Sequence, residues 1–168
     1  MADVAQFAMV PRARVRAAMD ALGAAGAVEP LDGPAGPALF DVVGGLRPGG
    51  DVPAPPRLLG MWDNVLLAHA DRSRIVPPEY RRLVTRVNGD VLPTLLVDGR
   101  VAGVWRATDG GIEATAFHRL PDDAWAGLAT EARALLALLA DRDPRVYGRY
   151  DRWWAALPAA EVRVLGGP

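Results

Sequence analysis

The first part of the chain places apolar residues at helical spacing. Residues 2–10 and 12–25 are predicted to form two short helices, and Val15, Met19 and Leu22 fall on one side of the second. Polar and small residues fill the positions between them. The pattern predicts a pair of helices that buries one apolar stripe.

Two short apolar runs follow, at residues 27–31 and 38–43, on either side of a Gly- and Pro-rich turn. They predict a two-stranded wing, so residues 1–43 are interpreted as a partial winged helix, a helix-turn-helix plus β-wing. A complete winged helix usually has a helix before this pair, and the sequence supplies none upstream of residue 2. We expect the C-terminal segment, a homo-oligomer or a missing N-terminal half to cover that side.

Residues 44–56 are dominated by Gly and Pro and are predicted to be a linker. Their composition does not support a regular helix or strand. Residues 57–168 are then predicted to form a second domain.

The second domain carries β-type patterns punctuated by turn dipeptides. Strands are predicted at residues 91–97, 101–107 and 112–120, next to the pairs Asn88-Gly89, Asp98-Gly99 and Asp109-Gly110. Pro93 favours an edge position or a bulge in the first of these strands. The pattern predicts an antiparallel β-sheet or barrel-like domain.

Helices and one more strand surround these strands. We predict short helices at residues 63–68 and 77–84, a longer helix at 121–140 and a last strand at 161–165. The tail aromatics are expected to cover a core. They are Tyr147, Tyr150, Trp153 and Trp154. The overall prediction is an α+β protein.

Composition narrows the possible chemistry. Of 168 residues 51% are apolar, enough to bury a core, and cysteine is absent, which excludes disulfides and thiol chemistry. Two distant histidines disfavour a metal site, and no glycine loop lies between a strand and a helix to bind a cofactor phosphate. We expect neither metal nor cofactor. With no secretory signal or membrane span evident, we expect a cytoplasmic protein.

Charge is informative only locally. The net charge is −1, and every one of the 19 basic residues is arginine. A GC-rich genome explains the absence of lysine more simply than selection for phosphate binding. Residues 69–106 are nevertheless locally basic, with more arginines than acids.

This basic stretch provides most of the candidate DNA-binding residues. They are His69, Asp71, Arg72, Arg74, Arg81, Arg82 and Arg86. Arginines on one face can bind successive phosphates, with Asp71 orienting a guanidinium. The alternative is structural: His69 packs in the core, Asp71 and Arg72 form an ion pair, and Arg81 and Arg82 only solvate a helix.

Arg12, Arg14 and Arg16 open the second helix, where a helix-turn-helix enters the major groove. They are further candidates for DNA contact, although alternate spacing spreads them around the helix. His69, Asp71 and Ser73 are too close in sequence to form a catalytic triad. His118 and the tryptophans are interpreted as packing residues.

The segments WDNVLLAHADRSRIVPPEYRR, at residues 62–82, and NGDVLPTLLVDGRVAGVWR, at residues 88–106, resemble the winged-helix DNA-binding proteins related to AlkZ-type DNA glycosylases. The resemblance implies tandem winged helices, a C-terminal β-barrel-like domain and excision of alkylated bases. The catalytic motif of that family is Gln, an aliphatic residue, then Gln or Asp. The only glutamine here, Gln6, is followed by Phe7 and Ala8, so the motif is absent.

The leading hypothesis is therefore the DNA-binding C-terminal portion of an AlkZ-like glycosylase, with double-stranded DNA, including damaged DNA, as its partner. Enzymatic activity and catalytic residues cannot be assigned from this chain. The alternative is a non-enzymatic winged-helix module for protein interaction or transcriptional regulation.

Overall fold

The structure, a computed structural model, describes residues 1–33, 36–141 and 150–167. Tyr147 lies outside these residues. The chain divides into two compact units. The N-terminal unit is Met1–Pro53 with Ala68–Asp71, and the sheet unit is Ala54–Leu67 with Arg72–Pro168.

The N-terminal unit contains two helices followed by a hairpin. They are α1 (Ala2–Ala8), α2 (Arg12–Ala24), β1 (Val28–Gly33) and β2 (Gly36–Val42), and the two strands pair antiparallel. The predicted order of elements is confirmed. That they constitute a winged helix stays a prediction.

Glycine ends α2 as the sequence requires. Gly26 has a φ of 67°, in the left-handed region that favours glycine. The amide of Ala27 donates to the carbonyl of Leu22 at 2.9 Å, closing the helix end just before β1. On the inner side of the helix Val15 is buried.

The sheet unit is built on five antiparallel strands. They are β3 (Arg57–Leu59), β4 (Thr94–Val97), β5 (Arg100–Thr108), β6 (Gly111–Ala116) and β7 (Glu161–Leu165), and they lie side by side in that order. Among the described strands β3 and β7 are the edges, so the sheet is open and not closed on itself. The last strand has the predicted bounds.

Two of the predicted turns connect neighbouring strands. Asp98 and Gly99 have φ values of 49° and 70° and join β4 to β5, as a two-residue hairpin requires. Of the two expectations for Pro93, the edge position is wrong, whereas an irregularity does occur in this strand, because the β4–β5 register shifts between Leu95 and Leu96. Pro93 lies immediately before β4, and β4 is internal because β3, which the sequence did not reveal, pairs with its other side.

Both faces of the sheet are covered. The long helix α5 (Asp122–Leu138) packs on one face, where Trp105, Trp125 and Leu128 are buried. The opposite face is covered by shorter elements. These include α3 (Asn64–Leu67), α4 (Arg81–Val84) and α6 (Asp151–Ala155), with Tyr150, Trp153 and Trp154 buried among them.

The helix predicted at residues 77–84 is shorter in the structure and begins only at Arg81. Pro77 and Pro78 lack amide hydrogens. Residues 77–80 form a turn instead, in which the Tyr80 amide donates to the Pro77 carbonyl at 2.9 Å. The effect is to place Arg81 and Arg82 in the helix's first two positions.

Candidate nucleic-acid interface

Helix α4 carries two of the candidate arginines on its exposed side. Its inward side is fixed by Val84, which is fully buried, while Arg81 and Arg82 are exposed. Arg74 is exposed on the turn that precedes Val76. The described structure therefore presents these three guanidinium groups to solvent from the sheet unit.

A short hairpin follows α4 and presents the next candidate. Thr85 and Val91 pair as an isolated antiparallel bridge, and the Arg86 amide donates to the Asp90 carbonyl at 2.9 Å. The Gly89 amide donates to the Arg86 carbonyl at 3.1 Å. We call residues 85–91 the tip hairpin.

The Arg86 side chain lies on an aromatic ring from the end of the chain. Its guanidinium carbon is 4.1 Å from the centroid of the Trp153 ring, and Trp153 is buried. A guanidinium stacked in this way keeps its in-plane N–H donors available. The sequence predicted a packing role for Trp153 but did not reveal its contact with Arg86.

In the part of the chain that the structure describes, the four exposed arginines form no ion pair with an acid. Within residues 1–33, 36–141 and 150–167, the ion pairs found involve other arginines, namely Arg47, Arg57, Arg106 and Arg163. Arg74, Arg81, Arg82 and Arg86 form none of these pairs. The acid Glu79 is also exposed in this stretch, so the surface is basic but not uniformly so.

Arg72 is placed differently from its neighbours. Its guanidinium points back to the chain and donates to the carbonyl of Leu67 at 3.4 Å, and the residue is half-buried. The Arg72 carbonyl accepts the amides of Ile75 and Val76 at 3.0 and 2.7 Å. Arg72 thus helps shape the turn that exposes Arg74.

His69 and Asp71 belong to the N-terminal unit, unlike the arginines that follow them. The intervening Ala70 amide donates to the Asp3 carboxylate at 2.8 Å, which fixes this segment against α1. His69 is half-buried and Asp71 is exposed, and both make interactions within the protein. This arrangement is compatible with the structural alternative for His69.

Arg12, Arg14 and Arg16 all lie exposed on α2 in the N-terminal unit. At about 100° per residue, Arg12 and Arg16 project on one side, roughly 40° apart, and Arg14 projects on the other. The candidate residues therefore form two sets, one in each unit. Within the N-terminal set, Arg14 lies on the opposite side of α2 from Arg12 and Arg16.

An aromatic pair near α4 was not anticipated from the sequence. The Tyr80 hydroxyl and His118 Nδ1 are 3.0 Å apart, and the two rings are nearly parallel, with centroids 6.0 Å apart. The rings of Tyr80 and Phe117 form an edge-to-face pair, with their centroids 5.0 Å apart. His118 lies two residues after the end of β6, and its partner Tyr80 is distant in sequence, so the sequence did not reveal the contact.

The one resolved pKa shift lies elsewhere in the sheet unit. The Leu120 amide and the Trp125 indole both donate to the Glu161 carboxylate, and together they lower the pKa of Glu161 below its ordinary value. Arg163 adds a nearby positive charge, at 3.8 Å. This cluster holds β7 to α5.

No group of three or more His, Asp or Glu side chains among the described residues is arranged to hold a metal ion. In the same part of the chain, every helix is too short or too polar to cross a membrane.

Comparison with solved structures identifies the fold. The fold matches the DNA glycosylase AlkZ of Streptomyces sahachiroi with a TM-score of 0.62 over 79% of this chain, at 24% sequence identity. This similarity concerns the fold: an α+β protein of the AlkZ kind.

The sequence itself places the chain in a family. The model of the family "DNA glycosylase AlkZ-like" matches residues 1–138, and the protein belongs to that family. A 69-residue stretch is 41% identical to the interstrand DNA cross-link repair glycosylase of the same organism. The resemblance seen in the sequence is thereby confirmed, and it extends through α1 and α5.

The chain matches only part of each relative. It spans 19% of the length of the cross-link repair glycosylase and 38% of the solved AlkZ chain.

Proposed function

We propose that this protein binds double-stranded DNA and corresponds to the C-terminal, DNA-binding portion of AlkZ-like glycosylases, without the catalytic residues in this chain. The cytoplasm is the corresponding proposed location. One observation carries the proposal: in a family of DNA glycosylases, the sheet unit exposes Arg74, Arg81, Arg82 and Arg86 outside any described ion pair.

Unpaired guanidinium groups are available to bind phosphates. A guanidinium that is already paired with a carboxylate must break that pair to bind a phosphate, whereas these four need not. Each phosphate contact releases a counterion and makes binding weaken with salt. Four such arginines would give a modest affinity for DNA that weakens as the salt concentration rises.

The absence of catalysis in this chain is proposed from Gln6. In the family motif a second Gln or Asp follows two residues later, and here that position is Ala8. An alanine methyl group can neither accept a proton from water nor orient it against a glycosidic bond.

The proposal is tested by titrating fluorescein-labelled duplex DNA with the full chain across a salt series. We expect binding at low salt that weakens steeply as salt rises, and no base release when the duplex carries alkylated bases. Absence of binding at the lowest salt would overturn the proposal. Base release would overturn the proposal that this chain lacks the catalytic residues.

A second candidate is a protein-interaction module, favoured by apolar side chains exposed on the N-terminal unit. Phe7 is 70% exposed and Met9 is 91% exposed. Exposed apolar patches often mark protein contacts. Light scattering at several concentrations tests self-association: a mass that rises with concentration supports this candidate for a homo-oligomer, and a constant monomer mass counts against it.

A further inference from the structure

Hydrogen bonds close the tip hairpin and connect it to the core. Its loop has three residues, Val87, Asn88 and Gly89, and is closed by hydrogen bonds that the amides of Arg86 and Gly89 donate. Gly89 has the positive φ, 88°, that such a loop needs. Below it, the Leu92 amide donates to the Val84 carbonyl at 2.9 Å. The loop is therefore anchored directly in the core.

Side chains from distant parts of the sheet unit brace this loop from behind. The Trp62 indole donates to the Gly89 carbonyl at 3.1 Å, and the Tyr150 hydroxyl donates to the Asp90 carboxylate at 3.0 Å. Asn88 donates to the other oxygen of that carboxylate at 2.9 Å. With Trp153 beneath Arg86, three aromatic residues hold the hairpin in one geometry.

Val87 is the exception within the loop. Its side chain is fully exposed, at 109% of the reference area, while its neighbours Arg86, Gly89 and Asp90 are all fixed by contacts. Turn tips usually carry Gly, Asn, Asp or Ser, and β-branched residues prefer strands. A valine that contributes nothing to the core at the tip of a braced hairpin suggests contact with something outside the chain.

The surroundings indicate what that contact is. Arg86 is adjacent to Val87 in sequence, and Arg81 and Arg82 lie on the helix that leads into the hairpin, all exposed. An apolar tip beside cations matches nucleic acid, because phosphates bind the cations while an aliphatic side chain can enter between stacked bases. A purely apolar protein partner would leave these arginines uncompensated.

We infer that Val87 is a wedge that inserts between base pairs of bound duplex DNA and unstacks them, while Arg86 and the α4 arginines bind the flanking phosphates. The inference rests on the proposed function. Bracing by Trp62, Tyr150 and Trp153 is what would let a single valine push the stack apart, because a flexible loop would yield instead. Local unstacking lowers the cost of extruding a base for repair.

The test uses the full chain and a short duplex in which 2-aminopurine replaces a central adenine, because this base fluoresces more strongly when it is unstacked. Wild type is compared with Val87→Ser, and Val162→Ser on β7, also exposed, is the matched control. Unchanged thermal unfolding confirms that each variant is folded.

We expect fluorescence to rise when wild type or Val162→Ser binds, and the rise to disappear with Val87→Ser. Affinity for Val87→Ser should fall by about five- to tenfold, with the salt slope unchanged, because the phosphate contacts remain. Equal fluorescence for wild type and Val87→Ser, or binding by wild type with no rise, overturns the wedge while leaving DNA binding intact. No binding at low salt overturns both.

Discussion

Arg86 stacks on Trp153, with 4.1 Å between the guanidinium carbon and the ring centroid. The contact joins the basic segment that resembles AlkZ-type proteins to the aromatic tail, two parts of the chain whose relation the sequence did not reveal. It makes the tail part of the candidate interface, because the ring that supports Arg86 comes from α6.

This contact should appear as a coupling free energy in a double-mutant cycle. Combining Arg86→Ala with Trp153→Leu should give a coupling of about 0.5–1 kcal/mol in the free energy of unfolding, measured by urea denaturation. In a control cycle, Arg133→Ala should show no coupling to Trp153→Leu, since Arg133 lies on α5 against the other face of the sheet. Equal coupling in the two cycles would contradict the stacking.

Gly103 is predicted to be intolerant of a side chain. A Cβ at this position would lie 2.1 Å from the Thr115 carbonyl oxygen on the paired strand, and backbone cannot easily move away. Gly103→Ala should therefore lower the free energy of unfolding by about 3 kcal/mol. Gly60→Ala, where a Cβ meets nothing within 4 Å, is the control and should cost under about 1 kcal/mol. Similar losses for both would show that strand packing is not the cause.

Glu161 should give the stability of the sheet unit an acid-side pH dependence. Because the Leu120 and Trp125 hydrogen bonds lower the pKa of Glu161, its contribution is fully present above the ordinary value of 4.5 and is lost as the pH falls through the lowered pKa. Chemical unfolding of wild type and Glu161→Gln should thus converge as the pH falls below about 4.5. The control is Glu79→Gln, exposed on the turn before α4. A gap between wild type and Glu161→Gln that stays constant with pH would refute this role.

The N-terminal unit offers a separate test of the α2 arginines. Because Arg12 and Arg16 project on the same side, replacing both with alanine should reduce the slope of log affinity for duplex DNA against log salt by about 2. Arg14→Ala should have a smaller effect if that side faces away from the DNA. An unchanged slope for the double variant, with Arg133→Ala as reference, would assign DNA contact to the sheet unit alone.

Local chemistry in the sequence was sufficient to predict much of the sheet. The Asp98-Gly99 pair predicted a hairpin, which its positive φ angles form, and the EVRVL segment at residues 161–165 predicted the last strand, β7. These features depend on neighbours in sequence. They require no knowledge of the rest of the fold.

Features that depend on distant contacts could not be predicted. Strand β3 has three residues and depends on distant contacts, namely pairing with β4 and the bond from the Trp105 indole to the Leu59 carbonyl. Because the sequence did not reveal β3, the edge position expected for Pro93 was also wrong. The Tyr150 hydroxyl bond to Asp90 spans 60 residues of sequence. The Asn88-Gly89 pair predicted a turn, but nothing local indicated that the turn would be braced or that Val87 would stand exposed at its tip.

Binding of DNA phosphates by the exposed arginines of the sheet unit is the core of the proposed function. Its most direct measurement is the salt dependence of duplex binding by wild type and by the Arg74→Ala, Arg81→Ala, Arg82→Ala triple variant, with Arg133→Ala as control. We expect the triple variant to bind more weakly and its slope of log affinity against log salt to be smaller by about 3, while the control matches wild type. A triple variant with the affinity and slope of wild type would contradict the account.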